Sequence, residues 1–135
     1  MVNLVIVSHC HALANGAKEL AEQMTGNAIR IAAVGGLATN DGYVLGTNAI
    51  AISEAVANVW DPSGVLLLVD LGSAILSAEL ALELLDPEMQ KCCLISNAPL
   101  VEGAVVAALE ASVGHSLDVV NQAAESACQF PKVSR

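Results

Sequence analysis

Aromatic and basic residues are both scarce in this chain of 135 residues. It contains one Trp, one Tyr and one Phe. A core without aromatic bulk must be filled by Ala, Val, Ile and Leu, small and branched side chains that let helices lie close on a sheet. Only five Lys and Arg stand against 14 Asp and Glu, for a net charge of −9. Phosphate contacts from Lys and Arg supply most nucleic-acid affinity, so no nucleic-acid partner is expected. No apolar run is long enough to cross a bilayer. Met1 to Val7 has no basic start and no small-residue cleavage site, which argues against a signal peptide. The expectation is a cytoplasmic protein without membrane insertion.

Other absences narrow the chemistry. The four cysteines, Cys10, Cys92, Cys93 and Cys128, form no CxxC pair, so they read as reduced thiols, mostly small buried hydrophobes. Neither a GxxxxGK[ST] loop nor a GxGxxG fingerprint is present, and nucleotide binding by those motifs has no support. The GxSxG elbow is missing too, which weakens a triad with Ser8 or Cys10 as nucleophile.

What is present is alternation. Leu4–Val7, rich in β-branched residues, Ala28–Ala33, Val65–Val69 and Cys92–Ile95 read as strands, and the unbroken apolar run Val65–Val69 as one covered on both faces. Helical patterns follow each: from about Ala12 to Met24, after a Thr47 cap with Ile52, Val56 and Val59 as buried stripe, over Ala74–Leu85, and from Leu100. A last helix spans Ser116–Cys128. The order predicts an α/β fold, a single-domain parallel four-stranded sheet with helices on both faces. The domain is expected over residues 1–128, with 129–135 as a frayed tail. Val34–Gly46, rich in Gly, Asn and Asp, is expected to be a long loop, functional or disordered.

Parallel sheets bind ligands outside the C-terminal ends of their strands. Three ends carry polar chemistry here: Ser8-His9-Cys10-His11, Asp70-Leu71-Gly72-Ser73 and Ser96-Asn97. A carboxylate beside an imidazole fixes its tautomer and leaves the other ring nitrogen as a nucleophile. Backbone N–H groups at Gly72 and Ser73, starting a helix, would favour an anion. On residues alone, His9 and Asp70 can equally be a hydrogen-bonded strand-end histidine and a helix cap. A metal site built on His9, His11 and Cys10 also stays open, although structural zinc asks for four ligands and the remaining His115 lies far along the chain.

The stretches Val5-Ile6-Val7-Ser8-His9, Gly35-Gly36 through Gly46-Thr47, Val69-Asp70-Leu71-Gly72-Ser73-Ala74-Ile75-Leu76-Ser77-Ala78-Glu79 and Ala98-Pro99-Leu100-Val101-Glu102-Gly103 resemble the DhaM phosphotransfer subunits of dihydroxyacetone kinase, which belong with the mannose-type EIIA domains. The resemblance runs from Met1 to about Cys128. It implies a homodimeric phosphocarrier of mannose-EIIA-like fold that takes a phosphoryl group from HPr on His9. The group would pass to the ADP-binding kinase subunit. It further implies that Asp70 orients His9, that Gly72, Ser73 and Cys10 contact phosphate, and that no cofactor or metal is needed. The family usually has Ser where Cys10 stands, and a thiol is the weaker donor. Some family members carry an HPr-like domain in the same polypeptide; this chain would use a separate HPr. The alternatives are an EIIA component of a mannose-family sugar transporter, a metal chelatase, or a ligand-binding module built on the Gly35–Gly46 loop.

Overall fold

A computed structural model describes residues 1–135. Four parallel strands form the sheet: β1 (Asn3–Ser8), β2 (Ile31–Gly35), β5 (Val65–Val69) and β6 (Cys93–Ile95). Their order is β2-β1-β5-β6. The chain steps outward from β1 to β2, crosses back to β5, and continues outward to β6. Between β1 and β5 the winding reverses, and there a parallel sheet opens a crevice at its carboxyl edge. The parallel four-stranded α/β sheet expected from the alternation is present.

The alternating faces of the central strands explain the two layers. Leu4, Ile6, Leu66 and Leu68 point to one side and pack against α1 (His11–Thr25), α5 (Leu100–Ser112) and α6 (Leu117–Ser126). Val5, Val7, Leu67 and Val69 point to the other, against α2 (Ala49–Val59) and α3 (Gly72–Glu83). Every residue of β1 and β5 is buried, each large side chain contributing about 1.5–3 kcal/mol. The helices meet the sheet and one another through alanines, among them Ala14, Ala17, Ala21, Ala104, Ala107, Ala108 and Ala124. A short helix, α4 (Pro87–Gln90), fills the connection before β6, capped by the Asp86 carboxylate.

Several boundaries differ from the sequence reading. The second strand begins at Ile31 rather than Ala28. Arg30 N–H is held by the Asn3 side chain at 2.9 Å, and pairing of Leu4 with Ile31 sets the register. The segment read as one long loop contains an antiparallel hairpin, β3 (Leu37–Thr39) with β4 (Gly42–Val44). Asn48, not Thr47, caps α2, accepting from Ile50 and Ala51 N–H. Thr47 Oγ1 is instead 2.7 Å from Ser77 Oγ on α3. After α6 a 3-10 turn runs over Ala127–Gln129.

Candidate functional site

β1 and β5 run side by side, with Val7 opposite Val69. The residues that follow them, His9 and Asp70, therefore come together at the switch point although 61 positions separate them. His9 Nδ1 lies 2.9 Å from Asp70 Oδ1. The other ring nitrogen, Nε2, contacts Ser73 Oγ in the first turn of α3. With Asp70 ionised, Nδ1 carries the proton and the Ser73 hydroxyl donates to the Nε2 lone pair. The imidazole is thus held in the tautomer that presents Nε2 toward a helix N-terminus. His9 is partly accessible there, and Gly72 and Ser73 are exposed. The first N–H groups of a helix have no intrahelical acceptor, and α3 has no side-chain cap at Leu71.

Asp70 is held from both sides. Its Oδ2 accepts from Ser8 Oγ at 2.8 Å and from His9 N–H at 2.9 Å. Its Oδ1 accepts from Leu71 N–H at 2.6 Å besides the imidazole. Burial pushes the carboxyl pKa up, but the donors outweigh it: His9 N–H, the Ser8 hydroxyl, Leu71 N–H and the His9 ring hold it below the ordinary carboxylate value. The carboxylate is a fixed anion rather than a passing cap.

The strand end is shaped by its neighbours. Gly35 ends β2 beside β1, where a Cβ would sit 2.8 Å from Cys10 O and 2.9 Å from Ser8 O. Only glycine lets the two strand ends approach so closely. Gly46 N–H donates to His9 O at 2.9 Å, tying the hairpin segment to the histidine. Cys10 is the N-cap of α1; its N–H donates to Ser8 Oγ at 3.0 Å, and its thiol makes no hydrogen bond. His11, at the first position of α1, stacks on Tyr43 of β4 with centroids 3.6 Å apart and planes 9° from parallel. A cleft of about 520 Å³ opens beside that stack, between Gly35–Ala38 and the outer face of α2.

The structure thus gathers His9, Asp70, Ser73 and Gly72 at one point and leaves Cys10 next to them. Ser96 and Asn97 lie one strand further out, after β6. Ser8, weighed in the sequence only as a weak nucleophile, is fully buried and hydrogen-bonded. No three His, Cys, Asp or Glu side chains cluster as metal ligands. No helix is long and apolar enough to cross a membrane.

The family model described as "PTS system fructose IIA component" matches residues 3–121. The chain belongs to this EIIA-man family. Curated relatives of this EIIA-man chain include a protein of Listeria innocua, 42% identical over 122 residues, covering 90% of this chain and 95% of the relative. It is named phosphoryl donor subunit DhaM of PEP-dependent dihydroxyacetone kinase 2. A DhaM subunit of Pantoea ananatis is 45% identical over 128 residues, covering 94% of this chain but 27% of that protein. The chain therefore spans about a quarter of the Pantoea relative's length. Among solved structures, the crystal structure of the unknown-function protein EF1359 superposes with a TM-score of 0.78 at 36% identity, covering 93% of each chain. A sigma-54 interaction domain protein from Enterococcus faecalis, at 19% identity, 95% and 90% coverage and TM-score 0.67, agrees in fold alone.

Proposed function

We propose that this EIIA-man domain is a phosphocarrier that bears a phosphoryl group on Nε2 of His9. One observation carries the reading: the imidazole is oriented by Asp70 at Nδ1, with Nε2 aimed at the exposed start of α3. In the forward step the Nε2 lone pair attacks a phosphoryl group on the donor. The new N–P bond forms as the donor's bond to phosphorus breaks. Asp70 keeps the Nδ1 proton and stabilises the positive character that grows on the ring. Ser73 turns its hydroxyl from Nε2 to a phosphoryl oxygen, joined by the Gly72 and Ser73 N–H groups and the positive end of the helix dipole. Cys10, beside His9, adds a weaker thiol contact. Phosphoryl transfer has a loose transition state and asks mainly for positioning and charge stabilisation, which this arrangement supplies.

We infer HPr as donor and the ADP-binding subunit of a dihydroxyacetone kinase as acceptor. In the second step an ADP β-phosphate oxygen attacks phosphorus and the N–P bond breaks, giving ATP and free His9. The relatives' names as phosphoryl donor subunits of PEP-dependent dihydroxyacetone kinases support this route. The description of the family as a fructose IIA component of a PTS system favours a second reading, an EIIA subunit passing phosphate to a sugar-transport partner. A cytoplasmic homodimer completes the proposal: Leu45, Leu71 and Leu76 are each about two-thirds or more exposed, apolar surface that a second copy of the chain would cover.

The test is incubation with phosphoenolpyruvate, enzyme I and HPr, followed by intact mass. One added phosphoryl group is expected on the parent and on His11→Ala, and none on His9→Ala. A His9→Ala protein that still gains the mass refutes the assignment. Adding either the kinase subunits with ADP or a transporter partner then identifies the acceptor. Sedimentation at micromolar concentration, giving the mass of one chain, would refute the dimer.

A further inference from the structure

We propose that Ser8 is a positioning residue, its hydroxyl locking the Asp70 carboxylate in the plane that fixes the His9 tautomer. The proposal rests on the reading of His9 as phosphoryl acceptor, but its first test does not. Ser8 is the last residue of β1 and fully buried. Its oxygen has two close partners. Cys10 N–H, at 3.0 Å, can only donate to it. The single hydroxyl proton is therefore left for Asp70 Oδ2, 2.8 Å away. The hydroxyl closes a short side-chain-to-backbone turn from residue 8 to residue 10. With its other end it grips a carboxylate delivered by the neighbouring strand.

The consequence for His9 follows from how Asp70 is held. Oδ1 serves the imidazole and Leu71 N–H, while Oδ2 serves His9 N–H and Ser8. A carboxylate gripped at both oxygens cannot turn about its own axis. Removing the Ser8 hydroxyl leaves Oδ2 with the His9 N–H alone and leaves Cys10 N–H without an acceptor. The carboxylate keeps its two backbone N–H donors but loses the one hydroxyl that sets its plane, so it tilts between them and Oδ1 moves off the line of the Nδ1–H. Ser73 Oγ, which touches Nε2, can accept as well as donate, so the ring is then able to take the opposite tautomer, with its proton on Nε2. That form has no lone pair at the attacking nitrogen. If Ser8 did no more than satisfy Cys10 N–H, its loss would lower stability and leave the imidazole unchanged.

The experiment is long-range proton–nitrogen NMR of the unphosphorylated, histidine-labelled protein at neutral pH, comparing the parent with Ser8→Ala and Ser8→Thr. The parent should show His9 with its proton on Nδ1. Ser8→Ala should show a mixture with a clear Nε2–H population, and its transfer rate from phospho-HPr should fall roughly tenfold. Ser8→Thr, which returns the hydroxyl, should restore the parent spectrum and most of the rate. An unchanged His9 spectrum in Ser8→Ala overturns the proposal even if the rate falls. Ser8→Cys, close in size with a weaker donor, takes the place of Ser8→Ala if that variant fails to fold, and is expected to show the same mixed spectrum. If the parent accepts no phosphoryl group, the phosphocarrier reading fails, while the tautomer comparison still decides the role of Ser8.

Discussion

Replacing Asp70 by Asn tests the centre of the proposed chemistry while keeping the side chain's shape. The carboxylate accepts four hydrogen bonds, two at each oxygen. A carboxamide offers one oxygen and one NH₂ group. If the NH₂ replaces Oδ1, it faces Leu71 N–H and the His9 ring, and drives the imidazole to the tautomer with its proton on Nε2. If it replaces Oδ2, it faces His9 N–H and Ser8. Either way one backbone N–H loses its acceptor, at a cost of about 1–3 kcal/mol. The charge is lost in both orientations. A hydrogen bond to a charged group is worth about 1.5–3 kcal/mol, which converts to roughly ten- to a hundredfold in rate. Where the wrong tautomer also dominates, the loss extends to about a thousandfold; the comparable change in serine proteases costs about four orders of magnitude. Rapid-quench transfer from phospho-HPr measures it, with circular dichroism confirming the fold. A rate within twofold of the parent would mean that Asp70 only ties the ends of β1 and β5 together and has no part in the transfer.

Three further outcomes are expected. Because the folded-state pKa of Asp70 lies below its ordinary value, ionised Asp70 contributes stability above its unfolded pKa of about 3.9. That contribution is lost as pH falls through the lower folded value; denaturant melts from pH 6 to pH 2 should show the gap between parent and Asp70→Asn closing on acidification. Gly35→Ala should cost about 1–3 kcal/mol and slow phosphorylation, since its Cβ would press on the carbonyls of Ser8 and Cys10; chemical denaturation and mass spectrometry check both. Burial raises the Cys93 thiol pKa to about 11, whereas Cys128 is exposed. A disulfide-exchange reagent at pH 8 should therefore label Cys128 first and Cys93 last, as peptide mapping will show.

The four-strand alternation was legible because β1 and β5 are buried on both faces, and continuous apolar runs such as Val65–Val69 leave little ambiguity. His9 and Asp70 were legible as a pair for the same reason: a polar residue just past such a run must lie at the sheet's edge. Strand order was not legible, because no residue in β2 or β6 records which side of β1 it will occupy. The β3–β4 hairpin was missed although Asn40-Asp41-Gly42 is a turn signal; its strands are three residues each, too short for alternation to register. Thr47 reads as the cap of α2 in the sequence because nothing local shows that its hydroxyl meets Ser77, 30 positions away. Ser8 carried no signal either, since a serine beside a histidine reads the same whether its hydroxyl meets solvent or a carboxylate.

The reversal of winding between β1 and β5 has a consequence for how the protein matures. The histidine arrives with the first half of the chain and its carboxylate with the second, and no local segment contains both. A folding intermediate holding only β1, α1 and β2 would display His9 with neither Asp70 at one nitrogen nor Ser73 at the other. The pair of contacts at His9 forms only once the two halves of the sheet have come together, so the proposed phosphoryl transfer would report on completion of the fold.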